Sequence, residues 1–202
     1  MRAVAGLGLD LAVTAVIPTT ENLLGGRAQV PGDVVRAMNG VTIEVINTDA
    51  EGRLILADAL SYAVREGLSP LVDAATLTGA CSVALGPFYT GVFSNDDGTA
   101  TALLDAARRA GEKMWRLPLD AAYEELIKSD VADIKNTAGR AGGAINAAMF
   151  LRHFVGDTPW VHLDIAPTSW SNKDEGVQTK GGSGVAVRTL VALAERLVVS
   201  SQ

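Results

Sequence analysis

Two hydrophobic periods interleave along this chain. Residues 11–18 (LAVTAVIP) form an apolar run closed by Pro18, which predicts a buried strand. Residues 41–47 (VTIEVIN) alternate with a period of two and predict a half-buried strand. The period then becomes helical over residues 53–66, where Leu56, Ala59, Leu60 and Ala63 fall at i, i+3, i+4 and i+7. Residues 70–77 and 160–165 predict further strands, and residues 91–94 a short one. Helices are predicted over 99–110, 121–129, 144–155 and 183–199, the first stopped by Gly111 and the second preceded by Pro118. Residues 31–33 predict a turn, 139–143 (GRAGG) a loop and 172–180 a polar surface loop. Strands alternating with helices give an α/β fold with a mixed, mainly parallel sheet flanked by helices.

At 202 residues, with no repeat or linker, the chain fits one domain. The uncharged run over residues 74–95 is long enough to raise a membrane span, but its glycines, Pro87 and hydroxyl residues predict strand, glycine loop and strand. Cys81 is the only cysteine, which excludes an intrachain disulfide and fits a reducing, cytoplasmic setting. Met1 and Arg2 lead into an apolar stretch broken by Gly6 and Gly8, with no leader-type cleavage site. Seventeen basic against 23 acidic residues leave a net charge of -6, which argues against nucleic-acid binding by counterion release.

Chemistry concentrates in residues 47–54 (NTDAEGRL), where a strand gives way to a helix. If the backbone is still extended there, Asp49 and Glu51 share a face, and paired carboxylates suit a hard divalent cation or can bridge two metals roughly 3.5–4 Å apart. Gly52 permits close backbone approach, and Arg53 adds a planar cation for an anion or a carbonyl oxygen. Thr48-x-x-Glu51 reads equally as a capping box, in which both polar groups only finish a helix end. On spacing alone, both readings stand.

The segment NTDAEGRL with Ala57-Asp58-Ala59-Leu60 resembles the signature of the leucyl aminopeptidase (cytosol aminopeptidase) family of dinuclear metal exopeptidases. Five further blocks resemble that family in order: Ile17-Pro18-x-x-Glu21-Asn22, Pro31-Gly32-Asp33, residues 75–80 (ATLTGA), residues 115–119 (WRLPL) and Trp160-x-His162-x-Asp164-Ile165-Ala166. The resemblance implies that Asp49 and Glu51 ligate metal, with Glu51 bridging. It implies that Arg53 positions a catalytic bicarbonate, and that Thr76, Leu77 and Gly79 flank the peptide's first side chain, with the Leu77 backbone meeting substrate. It further implies two divalent ions, zinc or manganese with magnesium or cobalt as alternatives, a peptide substrate with a free amino terminus, and a homo-oligomer, hexameric in the family.

The resemblance begins downstream of the family's glycine-rich strand with its lysine and aspartate ligands, and of the family's amino-terminal domain. Residues 1–202 are therefore expected to form a partial catalytic domain without its first strands. Two divalent ions carry four positive charges, against two negative charges on Asp49 and Glu51, so the site is expected to be underligated and the sheet to show an open edge. A non-catalytic oligomerising remnant is the alternative expectation. His162 and Asp164 share a strand face and could pair on a metal, but a hydrogen-bonded structural role explains His162 more simply. Asp73 is expected to be satisfied by neighbours, and Cys81 to act as a small buried hydrophobe.

Overall fold

The computed structural model describes residues 1–174, 176 and 178–200. A short helix α1 (Arg2–Gly6) leads into a stretch without regular structure that ends at the turn before β1 (Val34–Arg36). Gly32 makes that turn with φ +97°, and Asp33 Oδ2 accepts from the Val30 amide. Strand β2 (Thr42–Glu44), helix α2 (Gly52–Arg65), strand β3 (Leu71–Ala75) and helix α3 (Gly79–Leu85) follow. After them come β4 (Thr90–Ser94), α4 (Asp97–Ala110), β5 (Met114–Arg116), β6 (Ile134–Lys135) and α5 (Gly143–Arg152). The chain ends with β7 (Trp160–Asp164), β8 (Trp170–Ser171), β9 (Gly181–Gly182) and α6 (Val187–Ser200).

The main sheet runs β3-β7-β4-β5, with β7 parallel to β3, antiparallel to β4, and β4 parallel to β5. It is the mixed, mainly parallel sheet that the alternation of strand and helix predicts. Alternate side chains divide the core into two layers. Leu71, Phe93 and Trp160 pack with α2, α3 and α5 on one face. Val72, Val92, Val161 and Leu163 pack with α4 and α6 on the other. A smaller sheet, β1-β2-β6, and the β8-β9 pair stand apart from it. Strand β2 keeps only the middle of the alternating 41–47 run, with Ile43 facing its core.

Three expected elements differ. Residues 11–18 join no ladder among the described residues; they line the far side of a groove of ≈ 870 Å³ bounded by β3, α2 and α6. That gap keeps them out of hydrogen-bond reach of the edge of β3, which among the described residues pairs with β7 alone. Between β3 and β4 the chain forms α3 instead of a glycine loop, because the Thr78 hydroxyl accepts from the Cys81 amide and caps the turn. Residues 121–127 form a 3₁₀ segment, started by Asp120, whose carboxylate accepts from the Ala122 amide and whose carbonyl accepts from the Tyr123 amide.

Two long helices, α4 and α6, are started by acidic side chains. Asp96 accepts from the Thr99 amide at the start of α4, and Gly111 ends it in the left-handed conformation. Helix α6 starts at Val187, later than residue 183, because its first turn is held from a distance. Buried Glu112 accepts from the Ala186 and Thr189 amides and from the Thr189 hydroxyl. Within the polar stretch 172–180 the described residues are exposed, while residues 175 and 177 lie outside the described residues.

Candidate active site

Site geometry starts at buried Asn136, which follows β6. Its Oδ1 accepts from the Ile46 and Asn47 amides at 2.9 and 3.3 Å, and its Nδ2 donates to the Asn47 carbonyl at 2.7 Å. The segment leaving β2 is thus clamped from 89 positions away in sequence. Asn47 then caps a 3₁₀ turn over Thr48–Ala50, its Oδ1 accepting from the Asp49 amide at 3.0 Å.

Neither sequence reading of this stretch holds unchanged. The backbone is turned here, so extended geometry does not set the directions of Asp49 and Glu51. The capping box is also absent. Glu51 sits at φ -72° with no side-chain bond to the helix start, and Asn47 performs the capping. The acidic side chains are left for other partners. The Asp49 carboxylate is exposed and has no hydrogen bond or ion pair among the described residues. Glu51 Oε1 accepts from Asn22 Nδ2 at 3.1 Å, while Oε2 is buried with no partner. An acceptor taken out of water and left unpaired costs about 1–3 kcal/mol, and more when charged. A cation at that oxygen would offset the cost.

Arg53 lies in the first turn of α2, buried, with its guanidinium donating to the Asn136 carbonyl at 2.6 Å and its Nε unpaired. Burial pulls its pKa down to about 10, against the opposing pull of the Asp164 charge. It remains a cation at neutral pH. A fixed guanidinium with an uncommitted donor is suited to an anion or a carbonyl oxygen.

Leu77, in the loop after β3, borders this helix start: a Cβ placed on Gly52 would lie 3.9 Å from Leu77 Cδ1. Thr76 and Gly79 are exposed and Leu77 is half-buried. The loop is held by Asp164 at the end of β7, a residue whose part in the site the sequence left undetermined. Asp164 Oδ1 accepts from the Leu77, Thr78 and Ala166 amides at 3.2, 3.4 and 3.2 Å, and Oδ2 accepts from the Thr78 hydroxyl at 2.6 Å. The Leu77 N–H is thereby committed, so its carbonyl is the backbone group left to meet a ligand.

His162 and Asp164, two apart on one strand face, do not act as a pair. His162 Nδ1 is 2.6 Å from Asp73 Oδ1, and its ring stacks with Phe93 and Trp160. Asp73 Oδ2 also accepts from Trp160 Nε1 at 2.7 Å, so Asp73 is satisfied by side chains. Cys81 is buried and its thiol is pushed up to about 12, first by burial and then by Asp164, which removes it as a nucleophile at neutral pH.

Among the described residues no group of three or more His, Cys, Asp or Glu side chains is arranged to hold a metal ion. Asp49 and the free oxygen of Glu51 fit part of a divalent-ion shell and do not complete one. No helix among the described residues is long and apolar enough to cross a membrane.

Comparison with known proteins gives one consistent result. The model of the cytosol aminopeptidase family, catalytic domain, matches residues 1–191. A probable cytosol aminopeptidase of Koribacter versatilis is 56% identical over 195 residues, covering 96% of this chain and 38% of the relative. That of Solibacter usitatus is 59% identical over 194 residues, covering 96% of this chain and 40% of the relative. The chain therefore spans about two fifths of the length of these curated relatives. Among solved structures, the bottromycin maturation enzyme BotP superposes with a TM-score of 0.93 at 43% identity, covering 98% of this chain and 44% of that one. A tomato leucine aminopeptidase mutant superposes at 0.83 and 48% identity, covering 87% and 34%. A structure of BotP in complex with Mn superposes at 0.80 and 43% identity, covering 86% and 39%.

Proposed function

The chain belongs to the cytosol aminopeptidase family, and from that premise we propose that it is the carboxy-terminal part of the catalytic domain of a metal-dependent aminopeptidase. Its reaction is removal of an amino-terminal, leucine-like residue from a peptide. The observation that carries this reading is the buried Oε2 of Glu51, unpartnered among the described residues, on a turn that also carries exposed Asp49 two positions earlier and the fixed Arg53 guanidinium two positions later. The relatives' names and the manganese in the BotP complex support the same chemistry.

In this reading Asp49 and Glu51 hold divalent ions, two of them, zinc or manganese with magnesium or cobalt as alternatives. Such ions supply Lewis acidity toward the peptide carbonyl and a nucleophile at neutral pH. Further ligands come from polypeptide outside these 202 residues, and the unpaired edge of β3 gives such a segment a place to add. Arg53 holds an anion of bicarbonate type with its uncommitted donor. Thr76, the Leu77 carbonyl and Gly79 flank the first residue of the peptide. The family's name supports a cytoplasmic setting, and a homo-oligomer is part of the same proposal.

Leucinamide hydrolysis with millimolar Mn²⁺ or Zn²⁺ tests the proposal, wild type beside Glu51→Ala, with metal binding followed by calorimetry. Weak turnover abolished in Glu51→Ala is the expected result. Turnover unaffected by that change, or a chain that binds no metal, overturns it. The lack of a three-ligand group favours a second reading, a non-catalytic remnant. Metal binding without any turnover is the outcome that would select it.

A further inference from the structure

Asp164 is fully buried at the carboxyl end of β7, in register with Ala75 of β3 and Gly91 of β4. Among the described residues it has no basic partner in direct contact; its oxygens are filled by three amides and one hydroxyl. Three of these four donors belong to Leu77 and Thr78, between exposed Thr76 and exposed Gly79. One carboxylate thus holds the backbone of the loop at two successive amides and a hydroxyl. A carboxylate serving only to start α3 would need the Thr78–Cys81 cap alone, and that cap is made by the Thr78 hydroxyl.

From this geometry we infer that Asp164 is a positioning residue for substrate, acting through Thr78 to fix the 76–79 loop so that the Leu77 carbonyl and Gly79 can bind the first residue of a peptide. This inference rests on the aminopeptidase reading and deepens it. The Asp164 carboxylate accepts the Leu77 N–H and the Thr78 N–H and O–H together, which pins the peptide plane between residues 76 and 77 and orients the one that follows. Charge-assisted bonds of this kind are stronger than neutral ones. Loosening the loop removes binding shared by ground state and transition state, so its signature is a raised KM with little change in kcat.

The test compares wild type with Thr78→Val, which deletes the hydroxyl that donates to Asp164, Thr78→Ser, which keeps it, and Asp164→Asn. Kinetics on leucinamide with Mn²⁺ are measured beside melting temperature, and leucinamide is titrated while the Leu77 and Gly79 amide resonances are followed. KM, or the dissociation constant where turnover is too low, is expected to rise about tenfold in Thr78→Val, with kcat within about twofold, and to be restored in Thr78→Ser. Asp164→Asn is expected to move the same way. Thr78→Val and Asp164→Asn that melt earlier but keep the wild-type KM or dissociation constant overturn the inference and leave the aminopeptidase reading intact. A wild-type chain that neither hydrolyses nor binds leucinamide overturns both.

Discussion

His162 is fully buried and its ring is hydrogen-bonded to a carboxylate. Burial opposes its charge, as does Arg53, but the Asp73 charge, the bond to Asp73 and the Asp164 charge outweigh them, and its pKa rises above 6.5. A histidine whose folded pKa exceeds its unfolded value stabilises the fold fully below the unfolded value, and that contribution is lost as pH rises through the folded value. Denaturant midpoints are therefore expected to fall as pH is raised above the unfolded histidine value and through the higher folded one. Asp73→Asn should flatten that slope and cost about 3–5 kcal/mol, since it strips a buried ion pair of one partner and weakens the Trp160 indole bond. A midpoint independent of pH in the wild type would count against a charged His162. The local character of Asp49, Glu51 and Arg53 was legible in the sequence because all three lie within five positions. Asp164, which meets Leu77 across 87 positions, was not, because alternation along β7 gives the face of a side chain and not what lies opposite.

Helix α3 shows how one small element couples the sheet to the helical layer above it. It is seven residues long and is wedged between β4 and α5. Both contacts run through glycine. A Cβ on Gly91 would lie 2.6 Å from Cys81 Sγ, and one on Gly143 would lie 2.9 Å from Ala80 Cβ. Gly91→Ala is thus expected to destabilise by about 1–3 kcal/mol, the usual cost of overpacking. Cys81→Ala removes the sulfur that blocks the new methyl, so the double variant should be less destabilised than the sum of the two singles. Chemical denaturation of the four proteins measures this, and strict additivity would show that α3 moves to accommodate the methyl. The sequence run hid α3 because uncharged, small residues suit a buried strand and a buried helix equally. The deciding feature was the Thr78 cap, a local signal that the glycines around it obscured.

At the scale of the whole molecule, periodicity recovered the order of the elements and the mixed sheet, since each face of that sheet is covered by helices that need an apolar stripe. It failed at residues 11–18, where an apolar run predicts a strand but a ladder also needs a neighbour within reach. The same opening bears on metal chemistry. If Asp49 and Glu51 hold a divalent ion as proposed, two carboxylates make that binding weak, yet whatever binds the folded chain and not the unfolded one still raises its stability. At a free concentration ten times its dissociation constant, the gain is about 1.4 kcal/mol, which for a chain of this size moves the melting temperature by roughly 3–5 °C. Millimolar Mn²⁺ should produce a shift of that order in the wild type and none in a variant carrying both Asp49→Asn and Glu51→Gln. Because the chain is acidic overall, with a net charge of -6, nonspecific screening could also raise the melting temperature. An equal ionic strength of NaCl separates the two effects: screening acts on wild type and double variant alike, whereas a bound ion acts on the wild type alone. Equal shifts in both proteins would mean that these carboxylates hold no metal in this chain.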